Sequence, residues 1–160
     1  MCEYCGCREV PAIAELRDEH HHLLDEVDHL RRALAAGDHE GAAQLLTSLV
    51  AHLEQHVSRE EHGIFTALRD QGDYTDEVGA LEGEHRWLDA AIGGLRPGST
   101  EFADALTALF DALEAHIERE DLGIFPVSVV TLGASGWDVV ERAHEASPSF
   151  LADDAATVTL

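Results

Sequence analysis

Two neighbouring stretches decide how this chain folds: LRDEHHHLLDEVDHL at 16–30 and AHLEQHVSREEHGIF at 51–65. In the first, Leu16, Leu23, Val27 and Leu30 recur at helical spacing, and position 20 falls on the same stripe. Extended outward, residues 12–36 read as one amphipathic helix entered through Pro11, with the seam Ile13, Leu16, His20, Leu23, Val27, Leu30 and Leu34 and a stop at Gly37 and Asp38. The second stretch belongs to a helix over about 39–70, with Leu45, Leu49, Leu53, Ile64 and Leu68 on one face and Gly72 after it. A third helix, about 76–95, carries Val78, Leu81, His85, Leu88, Ile92 and Leu95, closed by Pro97 and Gly98. A fourth, about 101–125, is capped by Ser99 or Thr100, carries Phe102, Leu106, Leu109 and Leu113, and is stopped by Pro126.

Four long amphipathic segments joined by short connections predict an all-α fold, an up-down-up-down antiparallel four-helix bundle with a short extra helix at the C-terminal end. The run at 127–131 is β-prone and is expected to be a connector. The extra helix is expected over about 136–146, capped by Ser135 and laid on the bundle by Trp137, Val140 and Ala143, with 147–160 as a loose tail. The organisation is then a Cys-rich N-terminal tail (1–11), the bundle (12–126) and a C-terminal extension (127–160).

Charge narrows the partners. The chain has 160 residues, 32 acidic side chains against 10 Lys+Arg, and a formal charge of −22. Phosphate binding needs clustered Lys and Arg, so neither nucleic acid nor an anionic membrane is expected as a partner. No apolar run reaches the length of a membrane span, and MCEYCGCREV lacks the apolar stretch of a signal peptide, so a cytoplasmic location is expected. The outlier is 11 His, the commonest metal ligand. An acidic, His-rich chain points to cations.

An internal repeat singles out the polar positions that matter. LEGEHRWLDAAIGGL at 81–95 matches 16–30 with an offset of 65, and HIEREDLGIF at 116–125 matches HVSREEHGIF at 56–65 with an offset of 60. The copies share one His on the first helix of each hairpin (His20, His85) and His-x-x-x-Glu on the second (His56 and Glu60, His116 and Glu120). His52 also extends the second seam. Residues i and i+4 share a helix face, so each His-x-x-x-Glu pair projects inward. A single such pair is ordinarily a solvated surface pair. Two of them facing two seam histidines would bury two carboxylates, at several kcal/mol each without a partner, and a cation partners all of them. Counting from the turns puts the polar groups of the four helices at similar heights in one layer, except that the fourth helix must begin about a turn further out. Structural zinc prefers four tetrahedral ligands, often Cys. Mixed imidazole and carboxylate donors suit iron or manganese, in numbers sufficient for two ions. The paired seam motif on the second and fourth helices is His-x-x-x-Glu, where ferritin-like bundles use Glu-x-x-His.

These motifs, Glu19-His20, His56-x-x-x-Glu60-Glu61, Glu84-His85 and His116-x-x-x-Glu120, with GIF at 63–65 and GIFP at 123–126, resemble the hemerythrin family, in particular bacterial hemerythrin-like (HHE cation-binding) domains. The resemblance spans about 12–126. It implies a non-heme di-iron centre of two iron ions inside a four-helix bundle, with His20, His56, His85 and His116 as ligands and Glu60 and Glu120 bridging. It also implies chemistry with O₂ or a related small oxidant. Three departures stand out. Leu81 occupies the place of a further third-helix His in the oxygen carriers. His52, one turn before His56, is placed to fill a coordination position. The carriers put the fourth-helix carboxylate at the place of Asp121, which stays an alternative to Glu120, as His22 does to His20. Glu19, Glu61 and Glu84 flank ligands and are either acceptors for imidazole N–H groups or solvated. His21, His29, His39, His62 and His144 read as surface residues.

The departures weigh against simple O₂ carriage. As an enzyme the protein would decompose peroxide or process nitric oxide. As a binding module it would carry or sense O₂ or nitric oxide, and a third role is iron buffering. The expected partner is thus a small diatomic molecule or peroxide. Cys2, Cys5 and Cys7 form C-x-x-C-x-C, too few for a disulfide framework, and read as a thiolate clip, a redox relay or an inert tail.

Overall fold

The computed structural model describes residues 10–152, and among these the chain is helical with no strand. Cys2, Cys5 and Cys7 lie outside the described residues, as do 153–160. Helix α1 (Pro11–Ala35) begins on Pro11, whose missing N–H falls where the first turn has no bond to make. Gly37, at φ +73°, turns the chain. Helix α2 (His39–Glu60) starts at Asp38, whose carboxylate accepts the Gly41 N–H at 2.9 Å. Beyond Glu60 the helix widens into a π-helical turn (Glu61–Phe65) and continues as α3 (Thr66–Gln71), closed by Gly72 at φ +82°. Helix α4 spans Thr75–Gly94. Helix α5 (Phe102–Arg119) repeats the behaviour of α2, with a π-helical turn (Glu120–Ile124) and a continuation, α6 (Phe125–Thr131). Helix α7 (Ala134–Ala146) follows.

Several sequence expectations need correction. Pro126 does not stop the fourth segment. In the π-helical turn the Phe125 N–H reaches back to the Glu120 carbonyl, and Pro126 falls in the first turn of α6, where a missing N–H costs least. The β-prone run 127–131 is therefore helical, since burial of Phe125 and Ser128 outweighs a weak local preference. Neither Ser99 nor Thr100 caps α5, and Ser135 does not cap α7; both helices begin without a side-chain cap, after Glu101 and Gly133. Residues 147–152 are not loose. Phe150 is 2 % exposed and joins the core, and Gln55 Nε2 donates to the Pro148 carbonyl at 2.9 Å.

The core is divided. One apolar cluster holds Leu23, Val27, Leu30, Leu49, Leu53, Leu88, Leu109 and Phe110 among others. The other gathers Ile13, Leu16, Ile64, Phe65, Leu68, Val78, Leu81, Ile124 and Phe125. Each of the four long segments passes from one cluster to the other, and at the crossing it carries buried His or Glu in place of an aliphatic residue. A buried polar layer thus separates two hydrophobic clusters.

Helix α7 breaks the symmetry of the repeat. It packs on the π-helical turn 61–65 and on α3, with Val140 fully buried. A Cβ on Gly63 would stand 3.6 Å from Ala143 Cβ and 3.7 Å from Val140 Cα, whereas one on its repeat partner Gly123 would meet nothing within 4 Å. Gly63→Leu is therefore expected to cost about 1–3 kcal/mol by overpacking, and Gly123→Leu to be neutral or slightly stabilising. Urea denaturation of the two variants checks this; equal losses would show that the α7 contact does not set the constraint.

Candidate metal centre

Six side chains converge in the polar layer: His20 from α1, His56 and Glu60 from α2, His85 from α4, His116 from α5 and Glu120 from the turn that follows it. All are 5 % exposed or less. The imidazole Nε2 atoms point at the two carboxylates. His20 Nε2 lies 3.2 Å from Glu120 and 3.7 Å from Glu60, and His56 Nε2 lies 3.2 Å from Glu60. His85 Nε2 lies 3.5 Å from Glu60 and 3.7 Å from Glu120, and His116 Nε2 lies 3.1 Å from Glu120.

The opposite nitrogen of every ring is held by another carboxylate. His56 Nδ1–H donates to Glu19 at 2.7 Å, His116 to Glu84 at 2.7 Å, His85 to Glu61 at 2.9 Å and His20 to Asp121 at 3.1 Å. These bonds fix each ring's orientation and leave Nε2 for the layer. The arrangement follows the repeat: Glu19 with His56 corresponds to Glu84 with His116, and Asp121 with His20 to Glu61 with His85. The phenyl rings of the two GIF motifs obey it too. Phe125 stacks on His20 (5.4 Å, 10°) and Phe65 on His85 (5.6 Å, 14°).

The layer fits cations. Both oxygens of Glu60 and of Glu120, with Nε2 of His20 and of His56, are buried and make no hydrogen bond. Orphaned buried carboxylate oxygens facing imidazole nitrogens call for positive charge. The donors fall into two groups of four, His20, His56, Glu60, Glu120 and Glu60, His85, His116, Glu120, each with ligand atoms within 4.8 Å of one another. The same two carboxylates serve both groups.

The structure sorts the remaining sequence candidates. His20, not His22, enters the layer, and Glu120 faces inward whereas Asp121 sits behind His20. His52 is not brought to the centre. Its position a full turn before His56 leaves it outside the layer, where its Nδ1 lies 3.1 Å from Glu26. Arg59 escaped the sequence reading. It is buried, paired with Glu19 and Glu15, and its Nη2 donates to His144 Nδ1 at 2.8 Å. His144 is therefore an interior residue tying α7 to the centre, and burial together with the Arg59 charge lowers its pKa. The repeat offered a signal, because Arg119 holds Glu84 at 2.7 Å in the other half. The halves differ in cover: the Arg59 side chain is fully enclosed, whereas that of Arg119 is 51 % exposed.

Charge compensation among the layer's own side chains sets protonation within it. Burial pushes the imidazoles down, but the surrounding carboxylates reverse this. Asp121 first, then Glu120 and Glu60, raise His20, and Glu60 and Glu19 raise His56. Glu120 and Glu60 raise His116, and the same two hold His85 up at about 11. Burial raises Glu60 and Glu120, and proximity to Glu60 raises Glu120 further. The facing imidazoles win, placing Glu60 well below the usual carboxylate range and Glu120 at about 2. The carboxylates thus contribute stability that is present above their ordinary value of 4.5 and lost as pH falls toward 2. His85 contributes below its ordinary 6.5 and loses this as pH rises through about 11. Thermal melts of chelator-treated protein are expected to peak between these limits, and cation uptake to release protons and tighten with rising pH. A melting temperature indifferent to acid would disconnect the layer from folding.

Comparison with protein families matches residues 12–128 to the hemerythrin HHE cation binding domain. No curated protein and no solved structure matched the chain. Among the described residues no helix is long and apolar enough to cross a membrane. With the match covering most of its length and the paired His and Glu donors gathered in one buried layer, the chain belongs to the hemerythrin HHE cation-binding family.

Proposed function

We propose that this protein is a non-heme di-iron protein that reacts with a small oxidant, peroxide, nitric oxide or O₂, inside an up-down-up-down four-helix bundle. The observation that carries the reading is the pair of four-donor groups sharing Glu60 and Glu120. Two bridging carboxylates with two imidazoles on either side suit iron better than structural zinc. The alternating topology is supported by successive long segments passing between the two apolar clusters in opposite order.

In this reading His20 and His56 would hold one ion and His85 and His116 the other, with Glu60 and Glu120 shared between them. Bound iron supplies a redox-active Lewis acid at neutral pH. The chain's own residues prepare that chemistry. Glu19, Glu61, Glu84 and Asp121 keep the Nδ1 protons and so fix the tautomers. The apolar clusters above and below exclude bulk water. His85 lines a pocket of about 340 Å³ between α2 and α4, with Leu53, Ser58, Glu61 and Leu88, and His116 lines a smaller one of about 210 Å³. We therefore assign entry to the His85 and His116 half, the side on which surface pockets reach the ligand residues. Glu61, 35 % exposed, links His85 Nδ1 to solvent and is placed to pass a proton. The partners are these small oxidants, and a cytoplasmic location belongs to the same reading.

Elemental analysis of purified protein is expected to find two irons per chain, with a visible spectrum that changes on adding peroxide. Rapid multiple turnover would identify an enzyme, and an oxygenated spectrum reversible on degassing would identify a carrier or sensor. Glu60→Ala is expected to lose both ions, since each depends on that carboxylate; retention of two would remove the bridging role. Ser58→Trp, filling the pocket from its rim, is expected to slow the peroxide reaction several-fold at unchanged iron content. An unaltered rate would place the entrance elsewhere.

A further inference from the structure

We infer that His22, Glu26 and His52 form a second metal site, separate from the central layer, for an exchangeable divalent ion of the zinc class. His22 and Glu26 stand at i and i+4 on α1 and share one face, and His52 meets them from α2. The three offer ligand atoms that all lie within 4.8 Å of one another. An ion bound at about 2.1 Å with right-angled to tetrahedral geometry separates its ligand atoms by about 3.0–3.4 Å. His52 Nδ1 already stands 3.1 Å from each oxygen of Glu26. That spacing matches His116 to Glu120 (3.1 Å) and His56 to Glu60 (3.2 Å) in the central layer.

The surroundings hold these donors in place. Ser48 Oγ donates to Glu26 Oε1 at 2.9 Å and fixes the carboxylate. Phe150 stacks parallel on the His52 ring (4.4 Å, 12°) and meets His22 edge-on (5.4 Å, 61°). The second imidazole separates this cluster from an ordinary His–Glu pair. The site is not an extension of the centre, because His52 lies one turn before His56 and Glu26 lies six residues after His20, about 6 and 9 Å along their helices. Neither Glu60 nor Glu120 belongs to it.

Donor chemistry selects the ion. Two imidazoles and one carboxylate form a set that zinc uses with water completing the shell. Calcium and magnesium demand more oxygen ligands than the cluster provides. Side-chain exposures of 22 % for His52 and 12 % for Glu26 leave solvent access, so the ion exchanges freely. The net charge of −22 enriches cations at the surface. Occupancy would clip α1 to α2 beneath Phe150.

The test is Zn²⁺ binding by equilibrium dialysis on the full-length, iron-loaded protein, with Co²⁺ as a coloured substitute. Wild type is expected to bind one more Zn²⁺ per chain than His52→Ala or Glu26→Gln, at equal iron content in all three. Glu26→Gln keeps the side-chain shape and an acceptor for Ser48, so it answers the question should His52→Ala fail to fold. Zn²⁺ is expected to raise the melting temperature of wild type and not of the variants. Thiolate binding at Cys2, Cys5 and Cys7 is common to every variant and cancels in the difference. Glu60→Ala is expected to lose iron and keep the additional Zn²⁺, which separates this site from the central one. Equal Zn²⁺ stoichiometry in wild type, His52→Ala and Glu26→Gln would overturn the proposal.

Discussion

Glu60 and Glu120 are carboxylates packed against one another in a layer closed to water, and neither oxygen of either makes a hydrogen bond. A pair of like charges in that position costs several kcal/mol per ion unless positive charge surrounds it. The rest of the interior answers this demand. Four imidazoles face the pair, and four further carboxylates stand behind the imidazoles to hold them in that orientation. The charged interior alternates in sign from the centre outward, and the two apolar clusters seal it from both ends.

The repeat makes this arrangement compact in sequence terms. One Glu-His pair and one His-x-x-Arg-Glu-[Glu/Asp] run, used twice, supply every polar group of the centre. The π-helical turns at 61–65 and 120–124 belong to the same unit, for they begin at or just after Glu60 and Glu120 and lead into the phenyl rings that stack on the opposite hairpin's histidine. Departure from symmetry comes from outside the repeat. Helix α7 covers the Arg59 side and leaves the Arg119 side in solvent, so two halves built from similar residues differ in access.

Much of this was legible in the sequence. Helical period located the long segments, and the repeat isolated His20, His56, Glu60, His85, His116 and Glu120, because a polar residue on an apolar seam stands out when it occurs in two copies. Other features were not legible for identifiable reasons. Pro126 reads as a stop because its local effect ignores the π-helical turn that accommodates it. His52 shares the seam of His56, and helical period alone does not say that the buried polar layer is only one turn thick. Arg59 and His144 look like surface residues individually; their burial arises from the approach of α7, which brings His144 to Arg59, and is tertiary information. The GIF motifs marked the family resemblance, but the stacking of their phenyl rings on an imidazole of the other hairpin leaves no mark on local period.

The sharing of Glu60 and Glu120 also bears on the order in which the protein is made. Neither group of four donors is complete within one hairpin: the His20 and His56 group waits for Glu120, and the His85 and His116 group draws on Glu60. A nascent chain emerging from the ribosome therefore exposes its first hairpin, with His20, His56 and Glu60 in place, before either position can close. Either group of four donors is complete only when the fourth long segment docks, so the finished centre requires the whole helical assembly.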